Sequence, residues 1–286
     1  MTSPAQTRAQ TRTRQPRRAA GHRALAAGAA AFGLAATAIL GGALTGTANA
    51  ATAAAAAAWP TPTTSKPVPA TIEVSGAYDG QMRRFYGSGD LGDGGQNENQ
   101  SPLFQLKDGA VLSNVVIGAP GADGIHCLGT CTLKNVWWED VGEDAATFKG
   151  KSSSAVYRVE GGGARKASDK VFQFNGAGTL TVTGGFQVAD FGKLVRSCGN
   201  CSTQYKRKVV VDNVDTTAPG KALVGINSNY GDGATLRSVR IHGDSSKKIK
   251  PCVRYEGNNT GAEPKVLGSG PDGTYCRYSA ADIIYN

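Results

Sequence analysis

The stretch Val111-Leu-Ser-Asn-Val-Val-Ile117 returns as Thr132-Leu-Lys-Asn-Val-Trp137, with the shared Leu-x-Asn-Val core displaced 21 residues, from Leu112 to Leu133. Related runs follow at Ala155-Val-Tyr-Arg-Val159, Leu180-Thr-Val-Thr183, Val209-Val-Val-Asp-Asn-Val214 and Leu236-Arg-Ser-Val-Arg-Ile241. They are short, rich in β-branched residues and separated by Gly, Asn and Asp, which is strand and turn chemistry. A drifting period in the low twenties marks a solenoid, whose turns cannot bury their apolar side alone and therefore stack. A leucine-rich repeat has a similar period, but its many fixed Leu positions and its helix are absent. An ordinary β-sandwich is the other rival. The expected fold is all-β, a right-handed parallel β-helix in a single domain, with almost no helix.

The chain has 286 residues, and its beginning reads differently. Residues 1–23 carry six Arg and no acid, residues 24–43 are nearly all apolar or Gly, and T-A-N-A closes at residue 50. A basic head, an apolar middle and small residues at the end read as an export signal over residues 1–50, with a membrane anchor as the alternative. Residues 51–70, an Ala run followed by a Pro/Thr-rich piece, read as a disordered or extended linker. The β-helix domain is expected over residues 71–286, long enough for one substantial core.

Removing the signal alters the charge. The whole chain is +9, but without the six signal Arg only 25 basic residues face 22 acidic ones, a surplus of 3. So small an excess does not call for nucleic acid, nor, once the signal is gone, for a membrane. It is compatible with an acidic polymer attracted by a local cluster. Six Cys (127, 131, 198, 201, 252 and 276) in an exported chain read as disulfides. Pairing neighbours is simplest, although six Cys allow fifteen connectivities.

Placed on the period, the charged residues fall into a series: Glu98, Asp123, Glu143 with Asp144, Asp169 with Lys170, then Lys193 with Arg196. The steps between the first members are 25, 20, 26 and 24 residues, each about one turn. Residues one turn apart lie on neighbouring strands, roughly 4.8 Å from each other. The spacing therefore predicts one column on one face, acidic at one end and basic at the other. Clustered carboxylates suit Ca²⁺, a hard cation. His126 and His242 are too far apart in sequence for a His-based metal site, and His126, between Ile125 and Cys127, reads as packed or hydrogen-bonded. A cation beside Lys and Arg would attract a polyanionic sugar and make the carbon acid next to its carboxylate less weak. Read alone, Asp123-Gly124 is also a tight-turn signal. Trp137 and Trp138 cannot both face inward on a strand, so one is expected in the core and the other along the cleft. Tyr230 and Arg254 are weaker candidates for sugar contacts.

The blocks A-D-G-I-H-C (122–127), N-V-W-W-E-D-V-G-E-D-A (135–145) and A-S-D-K-V-F-Q-F-N-G (167–176) resemble the signatures of class III pectate lyases, polysaccharide lyase family 3, of the secreted bacterial type. Residues 94–110 and 191–201 agree with them. The resemblance implies Ca²⁺-dependent β-elimination on de-esterified polygalacturonate by an extracellular monomer. It puts the metal ligands on Glu98, Asp123, Glu143, Asp144 and Asp169, and the catalytic residues on Lys170, Lys193 and Arg196. Lys170 is the first choice for the base and Arg196 the second; Arg196 would otherwise grip a substrate carboxylate. Phe174 departs from the family pattern, where a His is common, with an expected effect on the cleft rim. Two alternatives stay open: a pectin glycoside hydrolase, and a non-catalytic carbohydrate-binding solenoid stabilised by calcium.

Overall fold

The computed structural model describes residues 58–286 except Asp93, Gln96 and Glu98. The export signal, residues 51–57 and the candidate ligand Glu98 lie outside the described residues.

The repeated Asn explains the repeated turn. Asn114, Asn135 and Asn213 all have φ between 53° and 56°, a left-handed backbone that Asn tolerates better than most residues. Each stands at the corner where one strand ends and the next begins in a new direction. Stacked corners bond to one another, with Asn135 Nδ2 donating to Asn114 Oδ1 at 2.8 Å.

Each turn contributes to three parallel ladders. The first stacks 77–79, 110–113, 131–134, 157–160, 178–183, 207–212, 233–237 and 276–277. The second stacks 65–68, 84–87, 115–117, 136–138, 162–164, 187–189, 214–217, 239–242 and 283–285. The third stacks 72–74, 104–106, 125–127, 146–148, 172–174, 195–197, 222–227 and 250–255. This is the right-handed parallel β-helix, right-handed as parallel crossovers are. Among the described residues one pairing is antiparallel, Lys265–Ser269 against Lys250–Glu256. No helix among them is long and apolar enough to cross a membrane.

The linker expectation needs correction. Ser65–Val68 is a strand paired with residues 84–87, so the solenoid starts before Thr71. Trp59 lies edge-on to Trp137, ring centres 5.0 Å apart, with the Arg165 guanidinium over its ring at 4.2 Å. Trp137 is therefore covered by the N-terminal segment and does not line the cleft. Trp138 enters the core, as expected of one of the pair.

Period-2 alternation sorts the third ladder. Phe104, Ile125, Ala146, Phe172 and Val195 stack inward, as do Leu106, Cys127, Phe148 and Phe174. Phe174 is thus a core residue packed on Phe148 and Tyr157, not part of a cleft rim. The residues between, His126, Thr147, Gln173 and Arg196, form an outward polar row. The three disulfides join sequence neighbours: 127–131, 198–201 and 252–276.

Phe172 touches Trp138, Phe148 and Phe186, linking three turns. Phe172→Ala is expected to destabilise the fold by about 3–5 kcal/mol, read as a lowered midpoint in denaturant unfolding. An unchanged midpoint would contradict the continuous aromatic core.

Candidate functional site

Lys170 and Lys193 are register partners in the third ladder, each two residues before an inward residue, Phe172 and Val195. Asp144 and Asp123 stand equally two residues before Ala146 and Ile125, so four successive turns bring the same position to one face. Just before this row the register slips: Phe191 pairs Ala167, but Lys193 pairs Lys170. One extra residue is accommodated on the 167–170 side, a bulge that re-aims its neighbours. Gly192 makes room for it, since a Cβ there would lie 2.1 Å from the Asp169 carbonyl oxygen.

Asp123, Glu143 and Asp144 are buried, and each offers an oxygen within 4.8 Å of the others. Asp123 Oδ1 and Asp144 Oδ1 are shut off from solvent and accept no hydrogen bond. Buried carboxylate oxygens without donors are costly unless something positive meets them. The all-oxygen donor set, with unused lone pairs turned together, fits a hard divalent cation such as Ca²⁺. Burial, reinforced by the charges of Glu143 and Asp123 and opposed by Lys170, pushes the Asp144 carboxyl up to about 9.

Asp169 does not join this cluster. It is half-exposed and lies between the lysines, 2.7 Å from Lys193 Nζ and 3.5 Å from Lys170 Nζ. Burial acts to raise its pKa, but the Lys193 hydrogen bond and both lysine charges prevail and hold it below the usual value. Lys170 is buried and reaches Glu143 Oε1 at 3.2 Å and Asp144 Oδ1 at 3.7 Å. The acidic and basic zones therefore interpenetrate at Lys170 instead of meeting end to end.

Beyond the lysines a cleft of about 500 Å³ opens, lined by Asp169, Lys170, Gln173, Lys193, Arg196 and Tyr255 among others. Arg196 is buried on the outward row, and that burial lowers its pKa against the opposing effects of Tyr255 and Asp232. Tyr230 sits in the short 3-10 turn Ser228–Tyr230, and Arg254 pairs with Asp272 at 3.2 Å; neither lines this cleft.

Sequence reasoning missed Lys149. Its ammonium lies 3.1 Å and 3.2 Å from the ring nitrogens of His126, whose Nε2 is 2.6 Å from Asp123 Oδ2. Burial lowers its pKa, opposed by Asp123, Asp144 and Glu143. The only available signal was its place 23 residues after His126, one turn on. His126 itself is hydrogen-bonded, as expected.

A family model described as pectate lyase matches residues 56–261. Pectate lyase E of Emericella nidulans is 48% identical over 230 residues, covering 78% of this chain and 85% of that protein. Probable pectate lyase E of Neosartorya fischeri is 47% identical over 227 residues, with the same coverage. Among solved structures, the catalytic domain of pectate lyase PelI from Erwinia chrysanthemi superposes with a TM-score of 0.67 at 32% identity, covering 78% of this chain and all of that domain. PelI in complex with tetragalacturonic acid gives 0.66 at 34% identity, covering 77% of this chain and 70% of that one. These curated sequence relatives are fungal, so they give the bacterial attribution no support. The family model and these relatives each cover most of the chain, and the chain belongs to the pectate lyase family.

Proposed function

We infer that the chain is an exported, Ca²⁺-dependent pectate lyase that cleaves de-esterified polygalacturonate by β-elimination. One observation carries this reading: three buried carboxylates, two of them with an oxygen that accepts no hydrogen bond, adjoin Lys170, which faces a cleft shared with Lys193 and Arg196. The solved relative that holds tetragalacturonic acid supports the substrate class.

Asp123, Glu143 and Asp144 would hold the ion. Glu98 is proposed as a further ligand from the sequence resemblance, while Asp169 is assigned to steering the two lysines and to any ion shared with substrate. When bound, Ca²⁺ neutralises negative charge at the reacting uronate and acidifies its C5 proton. Lys170 takes that proton in its uncharged form, and the electron pair expels the C4 oxygen, which takes a proton from water and becomes the hydroxyl of the new reducing end, leaving a C4–C5 double bond conjugated with the carboxylate. Lys193 sits within reach to stabilise the charge that develops on the carboxylate. Arg196 has its Nη1 side engaged by protein oxygens. Its Nε–Nη2 edge is suited to a bidentate grip on a uronate carboxylate. That edge favours Arg196 as a clamp and leaves Lys170 as the base.

Residues 1–50 would serve as the removable export signal, the enzyme then acting outside the cell as a monomer. The family match begins at residue 56, after that segment, and three disulfides suit an oxidising compartment.

With polygalacturonate and Ca²⁺, products are expected to carry the ultraviolet band of a conjugated uronide, and EDTA should abolish its appearance. New reducing ends without that band, surviving EDTA, would indicate a hydrolase; no cleavage of any pectin would indicate a binding solenoid. Lys170→Ala should lower kcat by ~10²–10⁴ while the protein still folds and binds Ca²⁺; full retained activity would remove Lys170 as the base. Because a lysine base works only when neutral, kcat should rise into alkaline pH, and a maximum below neutrality would oppose it.

Ca²⁺ binding should itself depend on pH. The ion-free Asp144 carboxyl is raised to about 9, so near pH 8 it holds a proton that a cation must displace. Affinity is expected to strengthen as pH climbs toward 9 and to flatten above it. Calorimetry in buffers of different ionisation enthalpy should show proton release at pH 8, and Asp144→Asn should lose it.

A further inference from the structure

Arginine is long and flexible, yet Arg196 is buried at the cleft wall, and its supports stand one and two turns further along the solenoid. Nη1 donates to the Ser197 carbonyl and, at 2.8 Å, to Asn227 Oδ1. The guanidinium carbon stands 4.0 Å from the centre of the Tyr255 ring, the stacked geometry that favours a cation on an aromatic face. Among the described residues Nε and Nη2 donate no hydrogen bond.

Asn227 is itself immobile. It is fully buried, donates Nδ2 to the Cys198 carbonyl at 2.7 Å, and gives its backbone N–H to Asp232 Oδ2 at 3.0 Å. The other oxygen of Asp232 accepts the backbone N–H of the buried Arg207 at 2.8 Å. The Asn227 side chain is thus held by a buried polar network that joins the Cys198 backbone, at the cleft wall, to Asp232 and Arg207 behind it.

Gly225 is the register partner of Arg196 on the next turn. A Cβ there would fall 2.9 Å from Arg196 Cδ and 3.0 Å from a ring carbon of Tyr255. The missing side chain is the channel through which Arg196 crosses the rung to reach Asn227 and Tyr255. Since Cδ belongs to a flexible side chain, a methyl at 225 would displace Arg196 before it displaced the backbone.

We propose that Gly225, Asn227 and Tyr255 are positioning residues that hold the Arg196 guanidinium by its Nη1 side and one face, so that its Nε–Nη2 edge is presented to a substrate carboxylate. This rests on Arg196 acting in the cleft as set out above. Displacing a preorganised group by about 1 Å costs on the order of 10²-fold in rate, so the cradle decides how much of the arginine's effect is realised.

The test is steady-state kinetics on polygalacturonate at saturating Ca²⁺ for Gly225→Ala, Tyr255→Leu, Tyr255→Phe and Arg196→Ala, with each cradle change also combined with Arg196→Ala. Gly225→Ala and Tyr255→Leu are expected to lower kcat/KM at least tenfold, with melting temperature and Ca²⁺ affinity close to the parent. Tyr255→Phe, which keeps the ring, should restore most activity. In the Arg196→Ala background neither cradle change should cost anything more. Parent-like kcat/KM in both Gly225→Ala and Tyr255→Leu, or losses that multiply with that of Arg196→Ala, would overturn the proposal. If Tyr255→Leu does not fold, Gly225→Ala decides alone. Parent-like activity in Arg196→Ala would instead refute the role of Arg196, a separate outcome.

Discussion

Parallel stacking obliges equivalent positions of successive turns to be neighbours, and this single constraint shapes the site. Whatever charge stands at one level of the third ladder meets the charge on the next turn at roughly 4.8 Å. Two ammonium groups at that distance repel by on the order of 3 kcal/mol at an effective dielectric of ~20. Lys170 and Lys193 are register partners on neighbouring turns, and the Asp169 carboxylate, carried by the bulged segment, pairs with both ammonium groups and offsets such repulsion. The bulge, and Gly192 beneath it, are therefore part of the electrostatics and not an irregularity of the backbone.

At the acidic end the same constraint has a different answer. Asp123, Glu143 and Asp144 are crowded and dry, and Lys170 alone does not satisfy their oxygens. Burial and the neighbouring carboxylates push the Asp144 carboxyl up, which favours a proton on the cluster in the absence of a metal. A cluster that must choose between a proton and a cation is poised for metal binding. Lys170, shared between this cluster and the cleft, links the ion's presence to the chemistry on the substrate side.

Much of this was legible in the sequence because the solenoid turns chain distance into spatial distance almost linearly. The Leu-x-Asn-Val repeat set the period, and steps of one turn brought Asp123, Asp144, Lys170 and Lys193 to a common level. Where the period failed, a local event had altered the count. The added residue at 168–169 took Asp169 away from the other acids and toward the lysines, which no spacing rule anticipates. Phe174 and Trp137 depend on which way a side chain points: Phe174 packs inward, and Trp137 is covered by Trp59 from a segment that composition marked as linker. Asn227 and Tyr255 escaped notice because neither carries charge. Their importance lies in an arginine reaching across rungs, and a glycine that permits the crossing leaves no chemical signature of its own.

The antiparallel strand Lys265–Ser269 has a consequence beyond the cleft it borders. A stack of identical coils is open-ended by nature, since its last rung offers three edges on which another coil, or another molecule, could add. Reversing one strand at the end of the third ladder removes the match for an incoming parallel turn, while the first two ladders end in short strands, Cys276–Arg277 and Ile283–Tyr285. Edge strands protected in this way resist end-to-end growth. The hairpin thereby leaves the end of the third ladder without a parallel template for an incoming strand.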